Sequence, residues 1–329
     1  LAGLGMLAVW TGLAAAPASA TEGGASLYIP GLRSTTAGVV PPPGFYFQND
    51  FYSYFGRIGG SRNLPIGGGV VAGVKQQTWL DLVTPIWVTP VEIFGGNLAF
   101  AVTVPFGEPA ITASAAVAAP RFGRMFGASL RDRELNFGDP VLQSFVGWHA
   151  GKFHWSVGGS LNVPSGSYSQ GQLSNVSLNR WIGDIYGAAT YLDPDLGLDI
   201  SGTAGFEING RNLDTRYDSG NAFHFDFAIS KSLTKELSVG LIASHYQQVS
   251  DDKGDLIQSF KGRVTAVGGT IGLNLSVAGT PVSARLKVLR EVEVENRFRG
   301  TIGLFTLSFP LGGASPPAPA PATRPVSKL

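Results

Sequence analysis

The sequence predicts an all-β fold, a closed antiparallel transmembrane β-barrel of about 12 strands, with about 10–14 as the range open to such barrels. Three observations carry this: long strands with one apolar and one polar face, a composition poor in charge, and an alternation of long and short connections. The strand pattern is clearest at residues 196–209. Leu196, Leu198, Ile200, Gly202, Ala204, Phe206 and Ile208 share one parity, and Gly197, Asp199, Ser201, Thr203, Gly205, Glu207 and Asn209 the other. Successive strand side chains point to opposite faces, so an apolar face is set against a polar one. A helix would mix the two sets. The run is longer than the roughly 5–6 residues of an average strand. Lipid outside and water inside a barrel wall call for this pattern, and one strand of a soluble sandwich would share it, so its recurrence decides.

Charged residues are 14% of the chain, against about 25% in soluble domains. Gly (45) and Phe (20) are abundant. After residue 20 there is no run of about 18 apolar residues, so no helix is expected to span a membrane. A barrel reconciles the two facts, because alternation disperses its apolar residues. Cys is absent, which excludes disulfides and thiolate sites. A net charge of +1 argues against nucleic acid as a partner held by bulk charge.

Residues 1–20 are apolar and end in Ala18-Ser19-Ala20, which resembles the end of a secretory signal peptide. A transmembrane anchor is the alternative, for which the segment is short and rich in Gly and Ala. Residues 21–44, with Pro41-Pro42-Pro43-Gly44, cannot be a central strand. They are expected to start on the periplasmic side, either as a lead-in or folded into the barrel mouth as a plug that shelters Leu27, Tyr28, Ile29 and Leu32. The barrel is expected over residues 45–310, and residues 311–329 form a Pro/Ala-rich, polyproline-like tail.

Within the barrel, strands are expected at residues 45–55, 75–84, 97–104, 141–148, 153–163, 183–191, 196–209, 222–230, 236–248, 267–277, 282–288 and 298–309. Residues 85–96 are read as a turn. Residues 105–139 are read as a long loop in which 109–120 is Ala-rich with helix propensity. Phe145, Trp148, Phe153 and Trp155 crowd the turn at 149–152, as an aromatic girdle requires. The connections at 56, 105, 164, 210, 250 and 293–297 are long or polar. Those at 149–152, 193–195, 233–235 and 278–280 are short. Long loops on one side and short turns on the other is the outer-membrane rhythm, which puts both termini on the short-turn, periplasmic side.

The polar parity collects Asp50, Asp199, Glu207, His224, Asp226, Arg285 and Lys287. These are lumen-lining candidates, tolerated only beside water or one another. They either stiffen a salt-bridged interior or line a pore and set its selectivity. Arg285 and Lys287 are expected near acids such as Glu207 or Asp226. No residue is proposed as catalytic, and no metal ligand set or cofactor motif is found. His149, His154, His224 and His245 lie in no nucleophile elbow and no His-Glu-x-x-His motif. His224 and Asp226 share a face and read as a buried polar pair before a dyad. Asp251-Asp252 lacks EF-hand spacing.

Several stretches resemble the bacterial outer-membrane family of meta-pathway phenol-degradation proteins. They are Gly24-Ala-Ser, Pro43-Gly-Phe-Tyr-Phe, Phe137-Gly-Asp-Pro140, Gly147-Trp148, Pro164-Ser-Gly-Ser-Tyr168, Asn209-Gly-Arg-Asn-Leu-Asp-Thr-Arg-Tyr-Asp-Ser-Gly220 and Tyr246-Gln-Gln-Val-Ser-Asp-Asp252. They run in order over most of the chain. The resemblance implies a barrel in outer-membrane lipid and a non-enzymatic role, uptake of small hydrophobic or aromatic substrates. In concept it is similar to the long-chain fatty-acid transporter. It carries over no binding residue. An outer-membrane lipid hydrolase or a structural barrel is the alternative.

Overall fold

A computed structural model describes residues 24–58, 63–66, 69–117, 130–133, 135–172, 174–253 and 261–312. The signal-like segment, the last three residues of the Ala-rich stretch (118–120), the loop residues 121–129 and the Pro/Ala-rich tail beyond 312 lie outside these residues. The strands in chain order are β1 (Gly44–Arg57), β2 (Asn63–Ile66), β3 (Gly69–Ile93), β4 (Gly96–Val117), β5 (Leu130–Arg133), β6 (Asn136–Phe137), β7 (Val141–Ala150), β8 (Phe153–Asn162), β9 (Ile182–Asp193), β10 (Leu198–Asn209), β11 (Ala222–Ser232), β12 (Leu237–Gln248), β13 (Arg263–Val277), β14 (Thr280–Glu295) and β15 (Arg299–Leu311).

Twelve of them close a ring. Each strand from β7 to β15 pairs antiparallel with the next, β15 pairs with β1, β1 with β3, β3 with β4 and β4 with β7. The short strands β2, β5 and β6 only extend the β3–β4 hairpin beyond the wall. Closure removes sheet edges, the condition for a sheet to sit in lipid. In the β10–β11 register Thr203 lies opposite Asp226 and Ala204 opposite Phe225. Thr203 and Asp226 are buried, while Phe223, Phe225, Phe227 and Ile229 are exposed on the outer face. The same division holds in β13 and β14, where Val267, Ile271, Leu286 and Val288 face out and Lys287, Leu289 and Glu291 face in. The turns at the short end take the form of tight hairpins. Phe94–Gly95 and Ala278–Gly279 both have two successive positive φ values, as a type I′ turn demands.

The first third departs from the sequence reading. Residues 85–96 are not a turn: β3 runs on to Ile93, and the chain reverses only at Phe94–Gly95. Pro85 keeps its place opposite Phe47 of β1. Pro90 sits where the β3–β4 register shifts between Val88 and Glu92, and the Thr89 hydroxyl accepts the Val91 N–H at 3.1 Å. A bulge is where a sheet tolerates a residue with no N–H. The Ala-rich stretch is not helical as far as Val117. It continues β4, with Ile111 opposite Gln76 and Val117 opposite Val70. Pairing to a long neighbour overrides the weak helix preference of alanine. Residues 293–295 belong to β14 and not to a loop, and β10 begins at Leu198, with Gly197 at φ 60 in the turn before it. Phe145 is not part of the girdle, because its parity follows Val141 and Gln143 into the lumen. Trp148 does face out and stacks on Trp155 at 6.4 Å, beside the exposed Phe153.

Candidate functional site

The lumen is occupied by the chain's own residues 24–43. Arg297, just beyond β14, donates from Nη2 to the Gly24 carbonyl at 2.6 Å, and Arg180, just before β9, to the Ala25 carbonyl at 2.9 Å. Both arginines stand at the long-loop end. Thr36 and Gly38 lie near the other end, donating backbone N–H bonds to Asp199 at 3.2 Å and to the Thr190 hydroxyl at 3.0 Å. The described segment therefore runs down the lumen from the long-loop end and turns into β1 at the short-turn end. It does not start at the periplasmic mouth as the sequence suggested. The expectation failed because nothing in its Pro/Gly-rich sequence marks direction, while the partners that fix it are spread over β9 to β14.

Three of the seven expected lumen residues hold this segment by accepting its donors. Asp226 takes the Tyr28 hydroxyl at 2.8 Å, the Gly31 N–H at 2.9 Å and the Ser244 hydroxyl at 2.6 Å. Glu207 takes the Tyr28 N–H at 3.1 Å and Asn209 Nδ2 at 2.9 Å. Asp199 takes Thr36, and the hydroxyls of Ser201 at 2.5 Å and Ser230 at 3.3 Å. Lys287 works from the opposite side, donating to the carbonyls of Gly31 at 2.8 Å and Leu32 at 2.9 Å. Gly31 is thus gripped at both its N–H and its carbonyl. It has φ 83, and a Cβ there would stand 2.9 Å from a Leu289 methyl, so only glycine fits.

Among the described residues, the other three donate or accept no hydrogen bond with the segment. Asp50 accepts from Gln48 Nε2 at 2.7 Å and the Thr306 hydroxyl at 2.5 Å. Arg285 turns inward opposite Gly272, with its guanidinium over that glycine. His224 does not pair with Asp226. Its Nε2 meets Asp184 Oδ1 at 2.8 Å, and its ring stacks on Tyr28 at 4.3 Å. Among the described residues neither Arg285 nor Lys287 forms an ion pair with Glu207 or Asp226. The lysine's hydrogen bonds go to backbone carbonyls, which a threaded segment supplies and a bare lumen would not.

Sequence reasoning missed several interior groups. Arg33, on the segment, reaches Gln143 Oε1 at 2.6 Å, the Ser160 hydroxyl at 3.1 Å and Asp184 at 3.7 Å, and lies over the Tyr186 ring at 3.8 Å. Asp184 was within reach of the parity rule that found Asp199. Glu291 accepts the Tyr54 hydroxyl at 2.8 Å, and was missed because β14 was ended too early. Apolar residues complete the seating. Ile29 and Leu32 pack against a buried cluster that includes Tyr54, Leu289, Ile302 and Leu304, and Tyr28 packs against Ala222, Tyr246 and Val264.

Most of the polar anchors of the segment lie on or next to β9–β14. Between the segment and the wall of β1, β3, β4 and β7 lies a cavity of about 800 Å³, bounded on the wall side by Tyr46, Leu80, Leu82, Ile86 and Phe145, and on the segment side by Val39 and Val40. Its lining is more apolar than polar, with Gln48, Asp50, Thr78, Thr84, Thr103 and Gln143 placed among the apolar side chains, and it reaches Asp184, His224, Asp226 and Glu291. No group of three or more metal-ligating side chains is present among the described residues.

The fold is shared with the COG4313 outer membrane channel from Pseudomonas putida F1, at 13% identity and a TM-score of 0.65, covering 86% of this chain and 99% of that one. A FadL homologue from Pseudomonas aeruginosa matches less well, at 9% identity and a TM-score of 0.41, covering 84% and 92%. No curated protein matches. A closed barrel with a lipid-facing apolar belt, a charged interior and this fold is a protein of the bacterial outer membrane. Residues 60–307 match the family described as "Putative MetA-pathway of phenol degradation", and the chain belongs to that family.

Proposed function

We propose that the protein is an outer-membrane channel through which small hydrophobic or aromatic compounds pass downhill. The observation that carries this reading is the cavity left between the threaded segment and the wall of β1, β3, β4 and β7. A pocket for such compounds is mostly apolar with a few placed polar groups. The hollow beside Leu80, Leu82, Ile86 and Phe145 meets that description, with Gln143 and Thr103 as neighbouring polar groups. Its volume of about 800 Å³ exceeds what a single aromatic ring needs. The relative of known structure is, by its name, a channel, and the family description concerns phenol degradation; both support the reading.

In this scheme Asp199, Glu207, Asp226 and Lys287 keep the threaded segment anchored on β10, β11 and β14, so that the cavity beside β3 and β4 stays clear. Asp50, His224 and Arg285 stiffen the wall. Residues 109–117, expected within a long loop, are strand, and the reading gives them no part in controlling access. The test is equilibration of phenol and toluene into liposomes bearing the purified barrel, with uptake measured in parallel in cells with and without the protein. Faster equilibration of both compounds, and impaired growth of the deletion strain on limiting aromatic substrate, are expected. Equal rates with and without the barrel, together with lipid hydrolysis by the purified protein, would replace the channel by an enzyme.

A further inference from the structure

The outer face carries a row of cations at the long-loop end. Arg57 of β1 stands opposite Arg299 of β15 on one side and Lys75 of β3 on the other. All three side chains are exposed and share the outward parity of Phe55, Phe305 and Trp79. Arg290 of β14 lies one step lower, opposite Thr301, and donates to its hydroxyl at 3.0 Å. Like charges directly opposite one another on a sheet are destabilising. Among the described residues, no carboxylate forms an ion pair with Arg57, Lys75 or Arg299. Acids on the same face are held elsewhere: Glu293 and Glu295 each meet Arg263 at 3.2 Å, and Glu108 is taken by Arg133 through Nε and Nη2.

Directly below the row the surface turns aromatic. Phe51 and Phe55 pack on Trp79 at 5.7 and 5.1 Å, and Phe305 stands opposite Phe51. An apolar shelf capped by unneutralised cations fits a lipid with phosphate on its head and acyl chains beneath. The long loops of an outer-membrane barrel lie outside the cell, so the row meets the outer leaflet. We propose that Arg57, Lys75 and Arg299 bind the phosphates of a phosphorylated glycolipid of that leaflet, with its chains lying on Phe51, Phe55, Trp79 and Phe305. The two guanidinium forks suit a phosphate bidentately. The inference stands whether or not the lumen conducts.

The test is native mass spectrometry of the full barrel released from phosphatidylcholine nanodiscs doped with a diphosphorylated glycolipid. The unaltered protein is expected to retain the glycolipid, and to lose it as ionic strength rises, since exposed charge pairs are screened. The combined variant Arg57→Gln, Lys75→Gln, Arg299→Gln is expected to retain about a hundredfold less, at roughly fivefold per cation near an anionic surface. Its folding is checked by heat-modifiable electrophoretic mobility. Arg263→Gln, which removes a cation already paired, is expected to retain the lipid as before. Salt-independent retention by the unaltered barrel, or equal retention by the folded triple variant, overturns the proposal. Displacement of the lipid by an equal concentration of inorganic phosphate does so too, because it would make the row a free-phosphate site.

Discussion

Asp226→Ala is the sharpest probe of how the segment is held. The carboxylate accepts three hydrogen bonds, two of them from the segment, by the Tyr28 hydroxyl at 2.8 Å and the Gly31 N–H at 2.9 Å. Hydrogen bonds to a charged group are worth roughly 1.5–3 kcal/mol each, so the pair amounts to about 3–6 kcal/mol. Water in the adjoining cavity can reach part of what is freed, which favours the lower end. A loss of about 3 kcal/mol raises the detached population of the segment about a hundredfold. Hydrogen exchange of the amides of residues 28–38 reads this directly, because exchange reports the free energy of local opening. Ser244→Ala is the control: it removes the third bond to Asp226, at 2.6 Å, and leaves both segment bonds in place. Protection in the segment should fall about a hundredfold in Asp226→Ala and change little in Ser244→Ala, while the strands keep theirs in both. Unchanged protection at residues 28–38 in a folded Asp226→Ala barrel would refute the reasoning, since the segment would then be held by its apolar packing alone.

Gly38→Val should loosen the segment from the other end, because a Cβ there would lie 2.7 Å from the His154 carbonyl and 3.0 Å from the Ala189 Cα; exchange at Thr36 and Gly38's neighbours should rise while barrel mobility on gels is unchanged. Phe145→Gln, which replaces an apolar side chain of the cavity lining by an amide, should slow toluene equilibration in liposomes about tenfold and phenol less, consistent with roughly 1–3 kcal/mol for burying an unpaired polar group. Asp81 shares the outer parity of Trp79 and Trp87, and its Oδ1 accepts from Asn49 Nδ2 at 3.0 Å on the lipid side; Asp81→Leu with Asn49→Leu should stabilise the barrel by about 1–2 kcal/mol in a urea folding titration in lipid, since a carboxylate on that face is unfavourable. Lys152, in the turn after β7, has its ammonium pKa raised by hydrogen bonds to Asp193 at 2.7 Å and Asp195 at 3.1 Å. This contribution is complete below the ordinary lysine value and is lost as pH rises through the raised one, so Lys152→Met should flatten the alkaline limb of a thermal-stability profile and leave it unaltered at neutral pH in shape.

The barrel was legible in the sequence because its cause is local. A strand between lipid and a polar interior must alternate, and alternation is written residue by residue in Leu198–Asn209, Ala222–Ser232 and Arg263–Val277. The loop rhythm then sets the topology, since strands joined by tight turns at one end can only run up and down. Inward placement of Asp50, Asp199, Glu207, His224, Asp226, Arg285 and Lys287 follows from the same parity. What those residues meet does not. Tyr28 and Asp226 are 198 positions apart, and no spacing rule links a Pro/Gly-rich segment to acids on strands that close around it. The same limit hid the course of β3 and β4. Pro85 and Pro90 read locally as breaks, and Ala113–Val117 as helix, yet two long partners in register outweigh both preferences. The sequence by itself determined the wall of this protein, through the period of its strands; only the closed ring decided what fills the lumen, because its contacts exist only once distant strands have met.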